Sequence, residues 1–147
     1  MDKVIVKIVG SQTDAEGEVS RMEMVAEGRH YYRNGKHYVL YDDTMTNAEQ
    51  KTSTVLKIAA DSLTLLRKGG VVQEQCFEPN KESSSVYRTP YGNMDLAMKT
   101  EKVEIVYGTI SGNIDVAYAM AVNGQWQSNN ELHIEISIAD AASCRLN

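Results

Sequence analysis

The residue with the most chemical potential in this sequence is Arg67 in "LTLLRKGG". It keeps phase with Leu63 and Leu65, so an extended chain sends its guanidinium toward the apolar side or its rim. A charge there must be paired, because an unpaired buried ion is very costly. Asp43, Glu23 or a tyrosine hydroxyl are the partners at hand. Arg67 is then either a structural tie closing one end of the fold or an anchor for an anionic ligand group, which arginine grips with bidentate bonds.

The second feature is "SSSVYRTPYGNMDLAM", residues 83–98. Ser83, Ser85 and Tyr87 share one face, and Arg88 lies on the other. Thr89, preceding proline, is held extended. Pro90 and Gly92 suit the second and fourth places of a β-turn. Tyr87, Thr89 and Tyr91 therefore either pack a corner between two strands or line the rim of a pocket.

Methionines form the third group. Met22, Met24, Met94, Met98 and Met120 fall on inward-facing positions, with Tyr107 and Tyr118 as polar tips. Methionine fills irregular space and adapts to ligands, so the set reads as ordinary core or as the soft wall of a cavity.

Catalytic signatures are missing: the sequence has no GxSxG, HExxH, P-loop or GxGxxG following a strand. His30 and His37 flank Asn34-Gly35 and, with His133, read as solvent-facing or hairpin residues that make a poor metal site. Cys76, in "EQCFE", has no obvious base beside it. Asp42 and Asp43 are adjacent and so point to opposite faces. No catalytic residue, metal or cofactor is expected.

These groups must be positioned by strands, because the hydrophobic period is two nearly throughout. Val4, Val6 and Ile8 oppose Lys3 and Lys7. Met22, Met24 and Ala26 oppose Arg21, Glu23 and Glu27. The pattern recurs at Thr52/Thr54/Leu56/Ile58, Leu63/Leu65, Met94/Leu96/Met98, Ile114/Val116/Tyr118/Met120/Val122 and Leu132/Ile134/Ile136/Ile138. "RNGK" and "VNGQ" place Asn-Gly between strands, the preference of type I′ hairpins. "RKGGVV" and "ISGNID" are further glycine turns. Helix is confined to a single turn at residues 46–50 and the alanine-rich tail.

The chain has 147 residues, 42% hydrophobic and 24% charged, with net charge −5 and pI about 5.2. That length makes one domain with a real core. The acidic balance argues against a general nucleic-acid binder. "MDKVIVKIVG" carries Lys7 inside its apolar part, unlike a signal peptide, and nothing nears the ~18 apolar residues of a membrane span. Two cysteines far apart, Cys76 and Cys144, suggest reduced thiols and a cytoplasmic protein. The expected fold is all-β: an antiparallel up-and-down barrel of roughly 8–12 strands over residues 1–147, since closure hides both the apolar faces and the edges.

The order of features resembles the uncharacterised YwiB-like family of bacterial proteins, a family of unknown function with a calycin-like (lipocalin-like) β-barrel. The likeness runs from about residue 3 to residue 138, leaving 139–147 as a tail. It is carried by "VIVKIVGSQTDAEGE", "MEMVAEGRHYYRNGKHYVLYDD", "LTLLRKGGVVQEQCFE", "SSVYRTPYGNMDLAMKT" and "IDVAYAMAVNGQWQSNNELHIEI". Where the family commonly has Tyr-x-Glu, this chain has Tyr41-Asp42-Asp43. The resemblance implies a barrel and brings no activity with it.

The leading expectation is non-catalytic binding of a small apolar or amphipathic ligand, with or without an anionic group, inside the barrel. Arg67, Tyr87 and Tyr118 would fix its polar part and the methionines its apolar part. The alternative is a structural or interaction module, a homodimer with a packed barrel. Its partner surface would use Val25, Val39, Tyr41, Val55, Val72 and Val106. Neither reading involves nucleic acid or membrane.

Overall fold

The computed structural model describes residues 2–43, 52–70 and 72–139. The turn expected at 46–50 and the tail from residue 140 lie outside them. Ten strands follow in order: β1 Asp2–Asp14, β2 Val19–Arg33, β3 Lys36–Asp43, β4 Thr52–Ile58, β5 Leu63–Gly69, β6 Gln73–Phe77, β7 Glu82–Thr89, β8 Gly92–Tyr107, β9 Gly112–Val122 and β10 Gln125–Ile138. Among the described residues there is no helix.

Every ladder is antiparallel, and the sheet runs β6-β5-β4-β3-β2-β1-β10-β9-β8-β7. Chain neighbours pair with each other, and β1 pairs with β10 to join the two halves. Asn-Gly sets two of the hairpins as expected: Asn34 and Gly35 have φ of 53° and 77°, Asn123 and Gly124 of 50° and 85°. These values are the left-handed pair that a type I′ turn demands.

Closure brings β6 against β7 and rests on little backbone bonding. Val72 and Arg88 exchange N–H···O bonds of 2.9 and 3.0 Å at one bridge. Side chains continue the seam on the inside. The Gln75 amide donates to Ser83 Oγ and accepts from Ser85 Oγ at 2.9 Å, and Gln73 donates to Ser85 at 3.4 Å.

The core is built from the inward phase of each strand. Val4, Val6, Leu56, Ile58, Leu63, Ile114, Ile134 and Ile136 are almost wholly enclosed. A bulge between Thr100 and Lys102 changes the inward phase of β8. Leu96, Met98 and Thr100 face inward before it, and Val103, Ile105 and Tyr107 after it. Gly28 marks a close approach: a Cβ there would sit 2.8 Å from the Leu40 carbonyl oxygen.

Two sequence expectations are corrected here. Val39 and Tyr41 do not face outward; both are buried. The two-residue turn sets Val39 opposite His30 and Tyr41 opposite Gly28, on the inner face. His30 is likewise not solvent-facing but 2% exposed.

Candidate functional site

Two polar clusters interrupt the apolar interior. The first grows from β4, whose inward phase begins with hydroxyls, Thr52 and Thr54, before turning aliphatic at Leu56 and Ile58. Across the ladders Thr54 pairs with Arg67, and Arg67 with Gln73. Gln73 leads into the Gln75–Ser83–Ser85 seam. A facing row comes from β8 to β10, where Thr100 pairs with Tyr118 and Tyr118 with Asn130. Asn130 in turn donates to Ser128 Oγ at 3.1 Å.

Tyr118 connects the rows. Its ring lies 4.8 Å from that of Phe77 on β6. Burial pushes its phenol pKa up, and the Arg67 guanidinium partly opposes that rise. The Oγ1 atoms of Thr52, Thr54 and Thr100 are buried and have no hydrogen-bond partner among the described residues. Native proteins rarely leave such groups unmet without a water or ligand to serve them. A recess of 150 Å³ at the strand edge beyond this row is lined by Gly10, Gln12, Met22, Tyr118, Asn130 and Leu132 together with Ser11, Ser20, Arg21 and Glu131 of the other phase.

The second cluster lies at the opposite end of the inward phase. His30 Nδ1 contacts Asp2 Oδ2 at 3.3 Å and His30 Nε2 contacts His37 Nδ1 at 2.9 Å. Tyr107 stacks on His37 with centroids 4.1 Å apart, and Tyr32 meets it edge-on. The Tyr107 hydroxyl donates to the Ile110 carbonyl at 2.7 Å, and burial raises its pKa. Partial burial and the neighbouring His30 lower the pKa of His37. The imidazole centroids are 5.1 Å apart for a 2.9 Å contact, so the nitrogens point nearly straight at each other. That is a hydrogen bond; two ligands of one cation would converge at an angle.

Among the described residues, carboxylates close enough to share a cation are Asp14, Glu16 and Glu18, all in or beside the β1–β2 turn. Asp14 Oδ1 already accepts the N–H groups of Glu16 and Glu18, which makes it the cap of that turn. Cys76 Sγ donates to Glu78 Oε1 and accepts from Thr64 Oγ1, each at 3.6 Å.

The residues singled out in the sequence divide by position. Arg67, Tyr87, Tyr118, Met24, Met98 and Met120 face the interior, half-buried or buried. Met22 and Met94 keep the inward phase but lie near strand ends, 49% and 40% exposed. Tyr91 is 94% exposed at the tip of the β7–β8 hairpin. Thr89 serves that turn: its Oγ1 donates to the Gly92 carbonyl and accepts from the Tyr91 N–H. Gln73 pairs with Arg67 and adjoins the bridge beside Tyr87, so it stands between those two. Glu23 is not the partner of Arg67, since it faces outward against Lys7 at 3.6 Å. Thr52, Thr54, Thr100, Gln73, Gln75 and Asn130 were not singled out, although hydroxyls in phase with Leu56 and Ile58 were a signal.

Comparison with known proteins places this geometry. "Uncharacterized beta-barrel protein YwiB" of Bacillus subtilis (strain 168) is 22% identical over 126 residues, covering 86% of this chain and 87% of that protein. The crystal structure of ywiB protein from Bacillus subtilis superposes with a TM-score of 0.84 at 19% identity, covering 95% and 93% of the two chains. That likeness shows the β-barrel fold. Residues 6–134 match the model of a domain of unknown function, DUF1934. The chain belongs to the DUF1934 family, a domain of unknown function.

Proposed function

We propose that this barrel is a non-catalytic, cytoplasmic small-molecule binder whose ligand is amphipathic and carries an anionic group. The carrying observation is the set of buried, unpartnered hydroxyls of Thr52, Thr54 and Thr100 around the Arg67–Tyr118 side of the interior. Hydroxyl donors beside a guanidinium suit a carboxylate or phosphate. The methionines Met24, Met98 and Met120 supply an adaptable apolar wall for the rest of the molecule. The 150 Å³ recess meets this row only at Tyr118 and is smaller than the ~300–1,000 Å³ filled by drug-sized ligands, so a ligand entering there is small or inserts by one end only.

Native mass spectrometry of the freshly purified chain tests this. The expected result is a retained small anionic compound, diminished in Thr54→Val and in Arg67→Met. A mass equal to the bare chain from several expression hosts, with no uptake of fatty or phosphorylated small molecules, would sink the reading. The alternative, a packed structural module, is favoured by the tight aliphatic layer around Val4, Leu56 and Ile114.

A further inference from the structure

The long strand β2 is covered on one side only for much of its length. It pairs with β1 from Val19 to His30, but its ladder with β3 begins at Gly28. From Val19 to Val25 the other edge meets no strand among the described residues. Hydrogen-bonding parity tells which backbone groups this edge presents. The two-residue turn closes on Arg33 and Lys36, a hydrogen-bonded pair, so odd-numbered residues of β2 turn their N–H and C=O toward the β3 side. The other end agrees: the Asp14 N–H donates to the Glu18 carbonyl at 3.0 Å, so even-numbered residues face β1. Among the described residues, Val19, Arg21, Glu23 and Val25 therefore hold unmatched donors and acceptors along the open edge, while Glu27 lies at the end of the β2–β3 ladder opposite Asp42.

An open edge is a template for another strand, and proteins usually blunt it. This one instead matches itself. We infer that the Val19–Val25 edge of β2 pairs antiparallel with the same edge of a second copy, about a two-fold axis through Met22. In that register Arg21 faces Glu23 of the second copy, and Val19 faces Val25 of the second copy. Each of these pairs exchanges both backbone bonds, and the two-fold repeats them. Val19 and Val25 are 62% and 61% exposed in the single chain, and Met22, which meets its own copy on the other face, is 49% exposed.

The neighbouring registers are excluded by charge. Moving the axis to Glu23 sets that carboxylate against itself, and moving it to Arg21 does the same for the guanidinium. Like charges directly opposite each other destabilise a strand pair, whereas opposite charges stabilise it. The open stretch of β8 also has a charge-matched register, Lys102 against Glu104 about Val103, but it abuts the bulge between Thr100 and Lys102, where regular pairing breaks. A strand edge alone covers less than the ~1,200 Å² of a standard interface, so the dimer forms in the micromolar range. It is isologous, as most homodimers are.

The test uses the full chain in sedimentation equilibrium across the micromolar range. Wild type is expected to dimerise. Arg21→Glu and Glu23→Arg should each weaken association about tenfold or more, and an equimolar mixture of the two should restore it as a heterodimer. Met22→Cys, in a Cys76→Ser/Cys144→Ser background, should form an intermolecular disulfide under mild oxidation. The two Cα atoms of such a non-hydrogen-bonded pair lie about 4.5 Å apart, within disulfide reach. A wild type that stays monomeric overturns the inference. So does a dimer indifferent to both charge reversals, or one that Met22→Cys fails to cross-link.

Discussion

Nε2 of His30 and Nδ1 of His37 meet at 2.9 Å across the β2–β3 hairpin, and their contact has room for one proton. A hydrogen bond between imidazoles needs one N–H and one bare lone pair. If both facing nitrogens carry protons, the bond is lost and two cations sit in contact. Asp2 backs His30 on its other nitrogen, and Tyr107 and Tyr32 hold the His37 ring in place.

Stability therefore depends on pH through His37. Its folded pKa lies below the ordinary 6.5, through partial burial first and then the charge of His30. The unfolded chain takes up that proton more readily than the folded one. The contribution is fully present above pH 6.5 and is lost as pH falls through 6.5 toward the folded value. Urea midpoints should drop between pH 7.5 and 5.5, and the drop should shrink in His37→Gln. Midpoints that stay level for the wild type would refute this coupling.

The β6–β7 seam makes Gln75 a stability residue. Its side chain is 1% exposed and bonds Ser83 and Ser85 across the closure. Gln75→Ala leaves those hydroxyls short of a partner and should cost about 1–3 kcal/mol. Denaturant titration with Ser84→Ala as an exposed control on the same strand measures it.

Gly28 is required by space. A Cβ would meet the Leu40 carbonyl at 2.8 Å and the Val6 side chain at 3.1 Å, and the carbonyl cannot move without disturbing the β2–β3 ladder. Gly28→Ala should destabilise by about 1–3 kcal/mol, as overpacking does. An unchanged melting temperature would show that the strands can separate freely there.

Thr54 separates ligand service from structure. Its buried hydroxyl has no partner among the described residues, so replacing it with the methyl of valine removes an unmet polar group. In ligand-free protein Thr54→Val should raise stability by about 1 kcal/mol. Ligand retention in native mass spectrometry should fall at the same time. A loss of stability would mean that the hydroxyl bonds within the fold.

Much of the architecture was legible in the residues alone. Alternation at Val4/Val6/Ile8 and at Leu132/Ile134/Ile136 names strands and their inner faces, because side chains in an extended chain alternate with a period of two. Asn34-Gly35 and Asn123-Gly124 name tight hairpins, because left-handed backbone suits those residues. The inward phase of Arg67, Tyr118 and Met98 followed from the same alternation. Local rules carry that far, since each depends on neighbours a few positions away.

Tertiary structure decided what those faces meet. The register of the β2–β3 hairpin turned Val39 and Tyr41 inward, reversing the expectation from sequence. The same hairpin buried His30 against His37 and Asp2, residues that alternation alone cannot bring together. The inward place expected for Tyr107 is reached only through the bulge after Thr100, and closure set Gln75 against Ser83 and Ser85. Each of these depends on how distant strands are aligned when the sheet curls. A shift of one residue exchanges inside for outside, so the chemistry of the interior is settled only when the barrel closes.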